Sequence, residues 1–117
     1  MSELQVRRLE KPDEQRTFDL GRFEVLEIGG MTIGQATYEP GWRWSTHVGG
    51  SPEARCDVEH VGLVLAGRTG VLMNDGTEVV LRPGDFFHVP PGHDSWVVGD
   101  EQYVSLHFLG AGEYAKD

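Results

Sequence analysis

The stretch that decides the fold is "GDFFHVPPGHDSW", residues 84–96. Aromatic and β-branched residues stand on both sides of its Pro-Pro-Gly sequence, which predicts a strand, a tight corner and a second strand. Two histidines, His88 and His93, lie on either side of that corner. Whether either histidine belongs to a pocket depends on the strands that surround the corner.

The rest of the chain is divided into short segments in the same way, by sixteen glycines and six prolines. No segment keeps an apolar period of 3.6 residues, so a helix is expected at most around residues 11–19. Asp-Gly in "NDGT" (74–77) and Pro-Gly in "RPGD" (82–85) predict tight turns. The pattern predicts an all-β sandwich or barrel. We expect strands over 22–28, 32–39, 42–47, 59–66, 70–74, 77–81, 85–89, 95–99 and 102–109.

Length and charge limit the classes of protein to which the chain can belong. Its 117 residues fit one domain, residues 1–117, and a net charge of −9 disfavours binding to nucleic acid or to an anionic membrane. No apolar run is long enough for a transmembrane helix, and the first residues lack the apolar core of a signal peptide. A single cysteine, Cys56, excludes an internal disulfide. We therefore expect a cytoplasmic protein.

The spacing of glycine and proline resembles that of a known family. Gly84, Pro90 and Gly92 match the second short motif of the cupin superfamily, and the first motif runs from Gly41 to Gly67. The chain resembles the small single-domain cupins over most of its length, about residues 31–109. The resemblance implies a double-stranded β-helix, or jelly-roll barrel, formed by a single cupin domain.

The departures from the motifs fall on the metal-ligand positions. His47 matches the first histidine of the family, whereas Cys56 stands at the second histidine position and His60 at the glutamate position. In the second motif Ser95 replaces the usual histidine, and His93 lies two residues earlier. The resemblance therefore implies a divalent metal ion with His47, Cys56, His60 and His93 as its ligands.

Strand parity allows most of these side chains to converge. In an extended strand Cys56 and His60 share one face, and His93 can reach the same pocket from the corner. His47 shares its face with Arg43, and a buried arginine requires an anionic partner. Either a bulge changes the register of that strand, so that Arg43 and His47 face opposite sides, or Arg43 lies in the pocket and anchors the carboxylate of a ligand.

The ligand set leaves the identity of the metal open. Neutral imidazole and thiolate suit zinc, iron or nickel. Without a metal, the histidines would be hydrogen-bonded core residues and Cys56 a small buried apolar residue. His88 is expected at the rim or the surface. Tyr103 and His107 share one face of the last strand, which points either into the pocket or towards an interface.

Three functions are consistent with these residues. The leading one is a metal-binding cupin that binds or transforms a small organic molecule, as dioxygenase-, isomerase- and lyase-type relatives do. The alternative is a metal-free cupin that binds a small molecule without catalysis. The third is a barrel filled by its own side chains, with oligomerisation as its main property. Exposed edge strands, with an added strand within residues 1–10, would allow a homodimer.

Overall fold

A computed structural model of the chain describes residues 3–114, and nearly all of the regular structure in them is β-strand. One helical turn, α1, spans Trp44–His47. The all-β class is thereby confirmed. The strands are β1 Glu14–Phe18, β2 Gly21–Ile28, β3 Met31–Tyr38, β4 His60–Ala66, β5 Arg68–Met73, β6 Glu78–Leu81, β7 Phe86–Val89, β8 His93–Val98 and β9 Tyr103–Leu109.

The strands form two antiparallel sheets that enclose one core. The larger sheet has the order β1-β2-β3-β9-β4-β7, and the smaller has the order β6-β5-β8. Apolar side chains from both sheets are buried between them, among them Phe23, Val64, Val71 and Val97. The two sheets form a jelly roll that is not closed into a complete barrel. The predicted cupin-like architecture is therefore confirmed.

The two predicted turns join the strands as expected. Gly76 has a positive φ of 92°, and the side chain of Asp75 accepts a hydrogen bond of 2.9 Å from the amide of Thr77. These residues close the β5–β6 hairpin. In the second turn the side chain of Asp85 accepts from the amide of Arg82 at 2.8 Å, which leads the chain into β7.

Two local predictions were wrong. Residues 14–18, within the expected helix, form β1 and pair with β2, because a neighbouring strand supplies their backbone partners. Part of the expected strand over 42–47 is instead the helical turn α1. The carboxylate of Asp94 accepts a hydrogen bond of 2.9 Å from the amide of Ser45. Such a distant cap satisfies an amide at the start of a helix and stabilises the helical turn.

Residues 3–10, the first that the structure describes, add no strand to either sheet. Residues 3–7 have no regular structure, and residues 1–2 lie outside the described part of the chain. The side chain of Arg7 instead fastens this segment to Asp13 and to the carbonyl of Glu27. The homodimer remains a prediction.

Within residues 3–114, no helix has the length and apolar character that a membrane span requires. The expected cytoplasmic location remains a prediction.

Candidate metal centre

Three of the predicted metal ligands meet inside the jelly roll. Cys56, His60 and His93 are each at most 5% exposed, and each offers a ligand atom within 4.8 Å of the other two. The Sγ atom of Cys56 lies 3.7 Å from Nε2 of His60. The rings of His60 and His93 meet edge to face with centroids 5.3 Å apart. We call these three residues the Cys-His-His cluster.

The corner of the second motif brings Cys56 to the cluster. The amide of Cys56 donates to the carbonyl of His93 at 2.7 Å, and the amide of Gly92 donates to the carbonyl of Cys56 at 2.8 Å. Gly92 has a φ of 91°, and a Cβ atom there would lie 2.7 Å from the side chain of Asn74. Glycine is therefore required at this point, where the corner, the hairpin and the irregular loop before β4 meet.

His93 is oriented by a backbone carbonyl. Its Nδ1–H donates a hydrogen bond of 2.8 Å to the carbonyl of Pro90, which leaves Nε2 as the free ligand atom. Histidines that bind metals are commonly oriented in this way. Ser95 lines the same cavity, two residues further along β8. His93 thus lies on the same face of β8 as Ser95, the residue at the family's ligand position.

Burial keeps the cluster uncharged in the absence of a metal. Desolvation, with smaller contributions from His107 and His93, lowers the pKa of His60 to about 2. Desolvation also lowers the pKa of His93 and raises that of the Cys56 thiol to about 11. Neutral imidazole is the form that binds metals, whereas the thiol must lose its proton when a metal binds.

His47, the fourth predicted ligand, lies outside the Cys-His-His cluster. It ends α1, where its Nδ1 accepts a hydrogen bond of 2.9 Å from the amide of Arg43. Its Nε2 lies 3.8 Å from a carboxylate oxygen of Asp19. Because residues 44–47 are helical, the strand parity that would have aimed His47 into the pocket does not apply.

Neither interpretation of Arg43 was correct. The side chain lies over the ring of Trp96, 4.6 Å from its centroid, and Nε donates to Asp94 at 2.8 Å. Asp94 is 1% exposed and also accepts from the hydroxyl of Ser45 at 2.9 Å. The protein thus supplies the anion that Arg43 requires. Asp94 was missed because no local pattern links it to residues about fifty positions earlier.

Tyr103 and His107 face the interior rather than an interface. Both line the cavity beside the cluster, and they are 3% and 6% exposed. Nε2 of His107 lies 3.0 Å from the hydroxyl of Ser105, whereas Nδ1 has no hydrogen-bond partner within residues 3–114. Burial lowers the pKa of His107 to about 4 and raises that of Tyr103 to about 12. Both side chains are therefore neutral near pH 7.

His88 is a surface residue, as expected. Its side chain is 56% exposed, and its Nε2 lies 2.7 Å from a carboxylate oxygen of Glu59 on the outer face of the sheet.

Tyr114 is a cavity residue that the sequence did not reveal. It comes from the turn after β9, is 3% exposed and lies with its ring 5.2 Å from that of His60. Its position at the end of an irregular segment carried no periodic pattern from which burial could be inferred.

Comparison with protein families agrees with this fold. The model of the cupin domain family matches residues 34–110, which include most of the strands and the whole cluster. The chain belongs to the cupin family. Among curated proteins, no sequence matches it.

Solved structures share the fold of this cupin at low sequence identity. A Rhizobium leguminosarum protein of unknown function has a TM-score of 0.58 at 20% identity, over 91% of this chain and 95% of its own. A cupin-2 domain protein from Rhodospirillum rubrum has a TM-score of 0.57 at 19% identity, over 89% and 65%. A chain from the structures of the DMSP lyases RdDddP and RnDddQII has a TM-score of 0.57 at 14% identity, over 83% and 50%. These likenesses support the fold alone.

Proposed function

We propose that this cupin holds a divalent metal ion through the Cys-His-His cluster and uses it to bind and transform a small organic molecule. The observation that carries the proposal is the convergence of one thiol and two neutral imidazoles in a buried space. We propose a reaction of the dioxygenase, isomerase or lyase type, as the resemblance to the family implied.

The residues of the cluster fit a metal ion. Thiolate and imidazole together suit zinc, iron and nickel, and three protein ligands leave a coordination position open. Nε2 of His60 lies 3.7 Å from Sγ of Cys56, and the ligand atoms of all three residues lie within 4.8 Å of one another, so one ion can contact all three. When bound, such an ion supplies Lewis-acid polarisation of the group that coordinates at the open position.

The neighbouring side chains would orient the molecule. His107, held by the hydroxyl of Ser105, has a free Nδ1 that can form a hydrogen bond with a polar group. Tyr103 keeps its phenol protonated, because burial raises its pKa to about 12. Val71 and Phe87 add apolar walls. The lining therefore suits a compact molecule with both a polar and an apolar part.

Metal binding is tested by elemental analysis of untagged protein, followed by thermal-shift titration of chelator-treated protein with Zn²⁺, Fe²⁺ and Ni²⁺. We expect about one ion per chain and a rise in the melting temperature by mass action. Cys56→Ser and His60→Leu should each weaken binding by about 100-fold or more, since each removes a ligand and the loss of a residue that only supports a ligand already costs about 10- to 100-fold. The matched control is His88→Ala, a histidine change on the outer face, which should leave binding unchanged.

Protein that contains no metal and takes none up on reconstitution would favour the metal-free alternative. The burial of Cys56 among apolar core residues, at 1% exposed, is the observation that supports this second candidate. In that case a small molecule would be bound by the same polar and apolar lining without catalysis.

We also propose that the protein forms a homodimer through an exposed sheet edge. Strand β7 ends the larger sheet, and Phe86 on it is 75% exposed. Exposed edge strands are commonly covered by a second chain. Sedimentation velocity should show a dimer, and Phe86→Glu should shift it to monomer. A monomeric wild-type protein would exclude the dimer.

A further inference from the structure

The turn formed by residues 110–114 inserts one aromatic side chain into the cavity beside the Cys-His-His cluster. The ring of Tyr114 lies 4.8 Å from that of Phe23 and 5.2 Å from that of His60, centroid to centroid. Its hydroxyl forms a hydrogen bond with that of Tyr38. Tyr114 therefore occupies space beside His60 in the cavity that adjoins the cluster.

A single arginine holds this turn by its carbonyl groups. Nη1 of Arg16 donates to the carbonyls of Ala111 at 3.1 Å and Tyr114 at 2.5 Å, and Nη2 donates to that of Gly112 at 3.2 Å. The Arg16 side chain is 10% exposed, and its Nε is paired with Glu14. Hydrogen bonds from a charged donor are stronger than neutral ones, so the turn is firmly tied to β1.

Close packing fixes the turn at its other end. Gly110 has a φ of 89°, and a Cβ atom there would lie 2.2 Å from the carbonyl oxygen of Glu59. Ala111 is 1% exposed and packs so closely on Gly34 that a Cβ atom on that glycine would lie 2.9 Å from it. The turn thus has one well-defined position, and that position sets where Tyr114 lies.

The cavity that Tyr114 leaves beside the Cys-His-His cluster is small. The cavity beside the cluster has a volume of about 40 Å³, which suffices for a few water molecules. We infer that Tyr114, held by Arg16, determines the size of the molecule that binds at the cluster. This inference rests on the proposed function. It restricts the ligand to compact molecules with a metal-binding group and excludes those that carry an aromatic ring.

The first test uses the cobalt(II) form of the full chain, whose visible absorption changes when a ligand coordinates. Azide is the small probe and phenylimidazole the large one. Tyr114→Ala should tighten phenylimidazole binding about tenfold or more and change azide binding by less than about threefold, which separates size exclusion from a change at the metal. Tyr114→Phe keeps the ring and should behave as wild type.

Arg16→Gln keeps the tyrosine and releases the turn, so it should admit phenylimidazole in the same direction and to a smaller extent. If Tyr114→Ala does not fold, phenylimidazole binding to Arg16→Gln tests the inference in its place. Wild-type protein that binds phenylimidazole as tightly as Tyr114→Ala would overturn the inference.

A second test needs no metal. In chelator-treated Tyr114→Ala the missing side chain leaves a cavity, and p-cresol should raise the melting temperature by filling it. Wild type and Tyr114→Phe should show no such rise. Failure of cobalt to bind would count against the proposed metal centre, and p-cresol would then decide by itself whether Tyr114 fills the ligand space. Absence of a p-cresol effect in Tyr114→Ala would overturn that assignment.

Discussion

Two neighbouring residues at the start of β8, His93 and Asp94, lie in buried polar environments of different kinds. Asp94 accepts hydrogen bonds from the side chain of Arg43, from the amide and hydroxyl of Ser45 and from the amide of Ser95. We call this group the Asp94 network. The Cys-His-His cluster around His93, by contrast, contains a buried nitrogen without a partner within residues 3–114.

The difference separates structural from functional polar groups. A buried group whose hydrogen bonds are all formed stabilises the fold, whereas a buried group without a partner costs free energy and requires another explanation. The Asp94 network joins α1 to β8 and thus holds the rim of the jelly roll. The cluster instead brings His60 of β4 and His93 of β8 together from the two sheets, with few hydrogen bonds of its own, and this arrangement favours a role in binding.

The largest expected effect is the loss of stability of the metal-free protein as the pH decreases, and it tests whether the buried histidines differ from the Asp94 network. Burial lowers the pKa of His60 to about 2 and that of His107 to about 4, below the value of about 6.5 in unfolded chains. Below pH 6.5 the unfolded state binds more protons than the folded state. The contribution of these histidines to the free energy of unfolding is therefore fully present above this pH and is lost as the pH decreases. From pH 7.5 to 5 each histidine should cost about 2 kcal/mol.

Urea unfolding of chelator-treated protein at several pH values measures this loss. His60→Leu should remove about 2 kcal/mol of this loss. The matched control is His88→Ala, a histidine change on the outer face. Equal stability at pH 7.5 and pH 5 would show that the interior histidines are solvated, and the proposed contrast with the Asp94 network would be lost.

The next effect concerns the Asp94 network itself. Asp94→Ala should lower the free energy of unfolding by about 3 kcal/mol, because the amide and hydroxyl of Ser45 lose their acceptor inside the protein. Chemical denaturation at pH 7.5 measures the change. Metal affinity should stay within about threefold, since the backbone bonds between Cys56 and His93 are retained.

Arg43→Met is the matched control for this prediction. The Arg43 side chain is 43% exposed, so its loss should cost less than the loss of the buried carboxylate. A similar or larger cost for Arg43→Met would make the arginine, rather than Asp94, the centre of the network.

The smallest effect is expected within the cluster. His60→Leu should leave the stability of the metal-free protein at pH 7.5 unchanged or raise it by about 1 kcal/mol, because it replaces a buried nitrogen without a partner by apolar volume. Thermal and urea unfolding measure this change. A loss of more than about 2 kcal/mol would show that His60 is a structural residue like Asp94.

The sequence predicted much of the fold because its information there is local. Glycine and proline at the turns, with apolar runs between them, indicated the strands of both sheets, and the resemblance to the cupin family implied the jelly roll. The errors fell where distant residues decided the local structure. Residues 14–18 formed a strand because β2 lies beside them, and residues 44–47 formed a helical turn that Asp94 caps.

Three of the four proposed ligands were also brought together as predicted. The resemblance to the cupin motifs placed Cys56 and His60 at ligand positions, and strand parity allowed His93, two residues from its motif position, to reach the same pocket. The resemblance also predicted His47 as a ligand, but the helical turn α1 places it outside the Cys-His-His cluster. Tyr114 could not be predicted, since its burial depends on bonds between Arg16 and a turn about a hundred residues later.

By itself, then, the sequence determined an all-β fold, its turns and the residue types available for a metal, and its resemblance to the cupins implied the jelly roll. The tertiary structure decided which side chains meet, which buried polar groups have partners and how much space remains beside His60. The physical reason is the separation along the chain of the residues that interact. Turn conformation and strand parity depend on residues close in the chain. Hydrogen-bond partners and cavity volume depend on segments that only folding brings together.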